Sequence, residues 1–289
     1  MIQKMEILKI RGTMNNIILK NISDLYTVKY NNELYDCKAK GIFRKEKITP
    51  TVGDKVEIDI DKKVITKILK RKNILIRPPI SNIDQALIVV SAKEPDFSTN
   101  LLDKMLNIIE YNNIIPIICV SKMDLLENKE EINEYLKYYK EIGYKVVINT
   151  DEINLKEIFK DKITVLTGQS GVGKSTLLNM LDETLNLNTN EISMALGRGK
   201  HTTRHVELLE IFGGLVADTP GFSSLEFIDM SNSDIRDNMI EFNNYRDNCK
   251  YKDCMHIKED ECMIKEMVKE GKILQSRYEN YKKFINKNR

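Results

Sequence analysis

The run Gly168-Gln169-Ser170-Gly171-Val172-Gly173-Lys174-Ser175 satisfies G-x-x-x-x-G-K-[ST], the phosphate-binding loop pattern, at every fixed position. It constrains the fold sharply, because such a loop works only between a buried strand and a helix N-terminus. The apolar run Ile163-Thr164-Val165-Leu166 reads as that strand, and Thr176-Leu177-Leu178-Asn179-Met180-Leu181 as the helix leaving the loop. Glycines let the backbone N–H groups wrap phosphates at the helix start; Lys174 then meets the β/γ-phosphates and the Ser175 hydroxyl joins the Mg²⁺ shell. A glycine-rich turn with a chance Lys-Ser pair is the competing reading.

The chain has 289 residues, enough for two or three domains with a real core. No apolar run approaches the roughly 18 residues of a membrane span. The N-terminus is polar and lacks an apolar stretch ahead of a small-residue cleavage site, so the cytoplasm is the expected compartment. A net charge of +2 hides an asymmetry: residues 1–72 are basic, 73–230 acidic, and the last 25 residues basic again. Basic ends around an acidic middle fit contact with a polyanion, although a lysine- and asparagine-rich composition alone also scatters lysines over solvated faces.

Residues 1–72 hold short alternating segments, Ile7–Arg11, Asn16–Leu19, Leu25–Lys29, Leu34–Ala39, Lys55–Ile60 and Lys63–Lys67, separated by turn signals. Period-two strands at this spacing predict a small antiparallel β-barrel, OB-like in size. Arg77-Pro78-Pro79 marks a boundary. Beyond it strands and helices alternate: Gln85–Val90, helix Asn100–Tyr111, Ile114–Val120, helix Glu130–Ile142, Lys145–Ile148, the phosphate-loop unit, Val206–Ile211 and Leu215–Ala217. Continuous apolar strands with crossover helices predict a parallel sheet covered on both faces. From Ser231 the sequence turns helical and polar around a Cys/His cluster. The expected domains are a barrel over 1–72, an α/β nucleotide domain over 73–230 and a helical domain over 231–289.

Three further segments read as parts of a guanine-nucleotide site. Asp218-Thr219-Pro220-Gly221 follows a strand and brings an acidic residue and a glycine N–H toward Mg²⁺ and the γ-phosphate. Gly197-Arg198-Gly199-Lys200-His201-Thr202-Thr203 lies where a switch loop belongs, with Thr203 able to close on Mg²⁺ while the γ-phosphate is present. Ser121-Lys122-Met123-Asp124 resembles the base-reading [NT]-K-x-D element, whose aspartate accepts from the guanine N1–H and N2–H₂. Asp124 precedes Gly168, the reverse of the usual order. Such a site assembles if the sheet is circularly permuted, which wires the Asp218–Gly221 segment directly into residues 231–289. An unrelated phosphate-loop fold with a coincidental Ser-Lys-x-Asp is the alternative.

Cys249-x₄-Cys254-x-His256-x₅-Cys262 gathers three thiols and an imidazole. This donor set suits one closed, tetrahedral, structural Zn²⁺ ion without a catalytic water. Disulfides are the competing reading, and an odd number of thiols with a histidine fits them poorly. The metal is expected to pin a domain with little apolar sequence of its own. Cys37 and Cys119 fall in strands and read as ordinary buried thiols.

Taken in order, these segments resemble the RsgA (YjeQ/YloQ) family of circularly permuted GTPases over nearly the whole chain. Gly168–Thr176, Gly197–Thr203, Asp218–Gly221 and Cys249–Cys262 carry the resemblance. It implies a GTPase acting in late maturation of the small (30S) ribosomal subunit. It also assigns to His201 the orientation of the attacking water; Phe222, where many GTPases place a glutamine after Asp-x-x-Gly, has no group for that task. His201 serving only as a loop hydrogen-bonding residue is the alternative, and His205 reads as structural. The chain departs from the family at Ser121, usually asparagine, and at Asn149-Thr150-Asp151, which stands where a Ser-Ala-type base loop is expected.

The leading expectation is therefore a Mg²⁺-dependent GTPase stimulated by the small subunit, with release coupled to hydrolysis. Its GTP-binding residues are Ser121, Lys122, Met123, Asp124, Gly168, Gln169, Ser170, Gly171, Val172, Gly173, Lys174, Ser175, Thr176, Asp218 and Gly221, with Ser175 and Thr203 on Mg²⁺. The barrel and the basic C-terminal helix would meet rRNA through phosphate contacts. Nothing in the sequence signals an obligate dimer, so a monomer is expected. A nucleotide-sensing RNA-binding assembly factor with little turnover is the alternative, and an ATP-dependent enzyme is disfavoured by Asp124.

Overall fold

A computed structural model describes residues 16–76, 78–181, 206–218 and 226–287. The expected strand Ile7–Arg11 lies outside them. Next come β1 (Ile17–Ile22), β2 (Leu25–Tyr30), β3 (Glu33–Ala39), a helical turn α1 (Ile42–Lys45), β4 (Val56–Asp59) and β5 (Val64–Ile68). Asn31 and Asn32 both take positive φ in the β2–β3 turn, a conformation asparagine tolerates. The strand order is β1-β2-β3-β5-β4, with β3 and β5 parallel. Backbone bonds from Ile18 N to Asp54 O (3.0 Å) and from Val56 N to Asn16 O (2.7 Å) return the sheet to β1. This is a closed five-stranded barrel of OB type. Its interior holds Ile17, Val28, Cys37, Val56 and Ile65, all fully buried.

β6 (Ile74–Ile76) and β7 (Pro79–Ser81) form a hairpin, so the Pro78-Pro79 punctuation is a turn pinned to the barrel. The Ser81 hydroxyl donates to the buried Asp54 carboxylate at 2.6 Å, which also takes Arg71 Nε (2.7 Å) and Nη2 (2.8 Å).

The chain continues through β8 (Gln85–Ser91), α2 (Thr99–Tyr111), β9 (Ile115–Ser121), α3 (Glu130–Glu141), β10 (Lys145–Ile148), α4 (Glu152–Phe159), β11 (Ile163–Thr167), α5 (Lys174–Leu181), β12 (Leu208–Ile211) and β13 (Gly214–Asp218). The C-terminal helices are α6 (Asn232–Asp237), α7 (Met263–Lys269) and α8 (Gln275–Lys287). β8 and β11 are buried along their whole lengths, as continuous apolar strands covered on both faces must be. α4 was not apparent from the hydrophobic pattern; Asp151 caps it, its carboxylate accepting from Asn154 N.

Two compact units emerge, each drawn from separate stretches of sequence. The first draws on Met1–Leu87, Asp151–Thr167 and Lys174–Phe222. It holds the barrel and the parallel pair β11–β13, with β12 antiparallel beyond β13. Here Asp84 Oδ2 accepts from Ile163 N at 2.9 Å, and Gln85 Nε2 donates to Thr164 Oγ1 at 2.9 Å.

The second unit draws on Ile88–Thr150, Gly168–Gly173 and Ser223–Arg289. It holds the parallel pair β9–β10, helices α2 and α3, and the C-terminal helices. A capping box, Ser231 with Asp234, starts α6. The Cys/His region proves to have an apolar core of its own: Met239, Phe242, Ile264, Ile273, Tyr281 and Phe284 cluster with Cys254 and Cys262. The expectation of little apolar material there is corrected, because Met and Tyr residues spaced along short turns converge only in three dimensions.

Candidate functional site

The phosphate loop adopts a conformation that only glycine allows at its start. Gly168 has φ +143°, and a Cβ there would lie 2.2 Å from the Val89 carbonyl oxygen, inside any permissible contact. Gly171 and Gly173 also take positive φ, at +83° and +90°. Lys174 opens α5, and Ser175 and Thr176 complete its first turn. Gly168 is buried, whereas Ser170 and Gly171 are exposed, which leaves the crest of the loop open to a ligand.

Within the second unit the base-reading segment is tied to this loop. The buried Ser121 hydroxyl lies 2.6 Å from the Val172 carbonyl oxygen as donor, and 3.2 Å from that of Val90. The Ser121 hydroxyl thus ties the base-reading segment to the phosphate loop. Lys122 takes a left-handed conformation, φ +57°, and its ammonium donates to the Glu94 carbonyl. Met123–Leu125 form a 3₁₀ turn with Asp124 exposed, its carboxylate available to a base. Asn149 N donates to Val120 O at 2.9 Å, so Asn149-Thr150 runs beside the base-reading segment, at the end of β10.

In the first unit β11 and β13 pair with Leu166 opposite Asp218. The strand that enters the phosphate loop and the strand that delivers the Asp218 segment are therefore neighbours. Gly221, and the switch-loop residues His201 and Thr203, lie outside the described residues.

Cys249, Cys254, His256 and Cys262 bring their ligand atoms within 4.8 Å of one another. Cys249 Sγ is 3.6 Å from His256 Nδ1 and 4.0 Å from Cys262 Sγ, and His256 Nδ1 is 3.3 Å from Cys262 Sγ. A tetrahedral site with ordinary metal–sulfur and metal–nitrogen bonds has edges of about 3.5–3.8 Å, so the spacing fits one metal ion and excludes disulfides, which need about 2 Å. All the cysteines are free thiols. Burial, with Arg236 adding to it, lowers the His256 pKa to about 4, and burial pushes Cys254 up to about 12. The imidazole is thus neutral with a lone pair to give, and the Cys254 thiol gives up its proton only to a cation that replaces it.

The scaffold around the cluster is polar and well bonded. The Glu259 carboxylate accepts from Met255 N (2.8 Å), Ile257 N (2.9 Å) and Lys258 N (3.0 Å), folding the loop around the ligands. From α8, the Tyr278 hydroxyl donates to His256 O and the Tyr281 hydroxyl to Met255 O, both at 2.6 Å. Cys37 and Cys119 are buried in β3 and β9, and burial raises both thiols, Cys119 to about 12.

A buried ionic group escaped the sequence reading. Arg277, counted with the basic C-terminal end, is 1% exposed and pairs with Asp103 and Glu241. It is not available to a polyanion. The signal for it is positional: Arg277 shares a helical face with Tyr281, Phe284 and Ile285, and a cation on an apolar face needs a buried partner. Among the described residues no helix is long and apolar enough to cross a membrane.

Comparison with known proteins adds a family. A family model described as RsgA GTPase matches residues 68–228, and one described as RsgA N-terminal domain matches 16–66. A small ribosomal subunit biogenesis GTPase RsgA of Bacillus cereus is 49% identical over 278 residues, covering 93% of this chain and 95% of that protein. The protein of that name from Bacillus subtilis is 48% identical over 283 residues, covering 93% of this chain and 95% of its own. Among solved structures, YloQ, described as a circularly permuted GTPase, superposes with a TM-score of 0.80 at 41% identity, covering 94% of this chain and 93% of its own. YjeQ from Thermotoga maritima gives 0.82 at 35% identity, covering 94% and 96%.

Proposed function

The chain belongs to the RsgA GTPase family, and from that premise we propose that it hydrolyses GTP to GDP and phosphate as an assembly factor of the small ribosomal subunit. The observation that carries this reading is the bond from Ser121 to the Val172 carbonyl, which joins the base-reading segment to the phosphate loop. In the proposed site the loop amides of Gly168–Gly173 and the Lys174 ammonium hold the phosphates, and Asp124 selects guanine. Ser175, Thr203 and Asp218 would hold the Mg²⁺ that accompanies GTP and neutralises charge on the phosphates. Gln169, Ser170, Thr176, Lys122, Met123 and Gly221 complete the contacts.

His201 orients the attacking water in this reading. His201→Ala is expected to cut stimulated turnover while nucleotide affinity stays nearly unchanged; loss of affinity would remove its catalytic role. The Cys249, Cys254, His256, Cys262 cluster holds zinc, which its sulfur-rich, closed donor set favours. The protein acts in the cytoplasm as a monomer, its divisions being 1–72, 73–230 and 231–289. What supports the first boundary is that the two family matches abut near residue 67. The whole reading is tested by GTP turnover with and without isolated small subunits.

A further inference from the structure

Asp103 is fully buried, one turn into α2, and satisfies three donors. Oδ1 accepts from Arg277 Nη1 at 2.7 Å and the Tyr139 hydroxyl at 2.5 Å, and Oδ2 accepts from Asn280 Nδ2 at 2.7 Å. Arg277 turns its other edge to Glu241, with Nε–Oε1 at 2.8 Å and Nη2–Oε2 at 2.7 Å. Asn280 also accepts from Asn100 Nδ2 at 2.9 Å. A buried ionic cluster often stabilises a fold no better than apolar packing of the same volume, and its best-attested use is to fix a register. Here it sets the register of α8 on α2.

Both ends of that register touch a functional segment. The approach to α2 and its first turns back the nucleotide loops: Pro95, Ser98, Leu101 and Met105 meet Gln169 and Val172 around a crevice of only about 10 Å³. Just upstream, the Glu94 carbonyl takes the Lys122 ammonium. On α8, Tyr278 and Tyr281 stand one residue beyond Arg277 and Asn280 and hold the carbonyls of His256 and Met255 in the metal-ligand loop. Two adjacent pairs on one helix thus grip α2 and the Cys/His loop.

We infer that Asp103, Arg277 and Asn280 are positioning residues for the nucleotide: they seat the start of α2 against the phosphate and base-reading loops in a register set by the metal-bearing loop. Nucleotide affinity and metal affinity are then coupled, each raising the other by the same factor. The inference rests on the nucleotide reading of the phosphate loop given above.

Asp103→Asn tests it in the full-length, zinc-loaded protein. The new amide faces the Asn280 amide donor to donor, while Arg277 and Tyr139 keep their acceptor. Affinity for a fluorescent GDP analogue is expected to fall about tenfold. The exchanged pair Asp103→Asn with Asn280→Asp restores one donor and one acceptor and keeps the bond from Asn100, so it returns the affinity. At equilibrium against a chromogenic chelator, saturating GDP should tighten zinc retention in the unaltered chain and not in Asp103→Asn. If Asp103→Asn is insoluble, Asn280→Ala takes its place, with a smaller loss expected. Equal GDP affinity in the unaltered chain and the folded variant, with only the melting temperature lowered, overturns the inference. No guanine-nucleotide binding by the unaltered chain overturns the nucleotide reading, and the inference with it.

Discussion

The hydroxyl of Ser121 makes a direct test at the scale of single residues. Its bond to Val172 O is buried, so Ser121→Ala leaves a carbonyl short of a partner and is expected to cost about 1 kcal/mol, read as roughly fivefold weaker GDP binding by fluorescence titration. Unchanged affinity would show that the two loops hold their places without it. Glu110 gives a pH test. Burial raises its carboxyl above the ordinary 4.5, with the Arg277 charge pulling the other way. The folded chain then keeps a proton that the unfolded chain has lost, so stability falls as pH rises past 4.5. Glu110→Gln should therefore raise the melting temperature at pH 7 and change it little at pH 4. An equal change at both would assign the effect to packing.

At the scale of elements, the phosphate loop and its flanks were legible because their chemistry leaves little freedom. Positive φ at Gly168, with a carbonyl where a Cβ would stand, can be met only by glycine, and the pattern records it. Gly168→Ala must push β8 away from the loop at a cost of about 3 kcal/mol, detectable as loss of nucleotide binding and a lower melting temperature. The Cys/His cluster was legible in the same way, since its donors lie close in sequence. Arg277 was not, because a basic residue on a lysine-rich helix looks solvated until Asp103 and Glu241, distant in sequence, are seen beside it. α4 escaped for a different reason: its apolar residues Leu155, Ile158 and Phe159 lie on a single short stretch, too brief to display a period. Removing the metal from the Cys/His cluster with a chelator should expose the 249–262 loop to protease while the barrel at 16–76 stays protected. Equal cleavage of both would mean that the metal stabilises more than its own loop.

For the whole molecule, the permuted order sends the chain from β13 through the Asp218 segment directly to the C-terminal helices, so nucleotide chemistry and the metal-bearing region share one continuous stretch. The excess of basic residues over 1–72 predicts that docking on the small subunit weakens steeply with added salt, the slope counting the phosphates contacted. Arg277 contributes nothing to that slope, being enclosed by two carboxylates. A flat salt response would move the contact away from the barrel. GTP turnover of the purified chain, measured with and without isolated small ribosomal subunits and with ATP as control, decides whether this is a GTPase directed at the small subunit. Slow turnover by the chain alone and a large, GTP-specific stimulation by subunits are expected. Turnover that subunits leave unchanged, or that ATP supports equally, would contradict that reading.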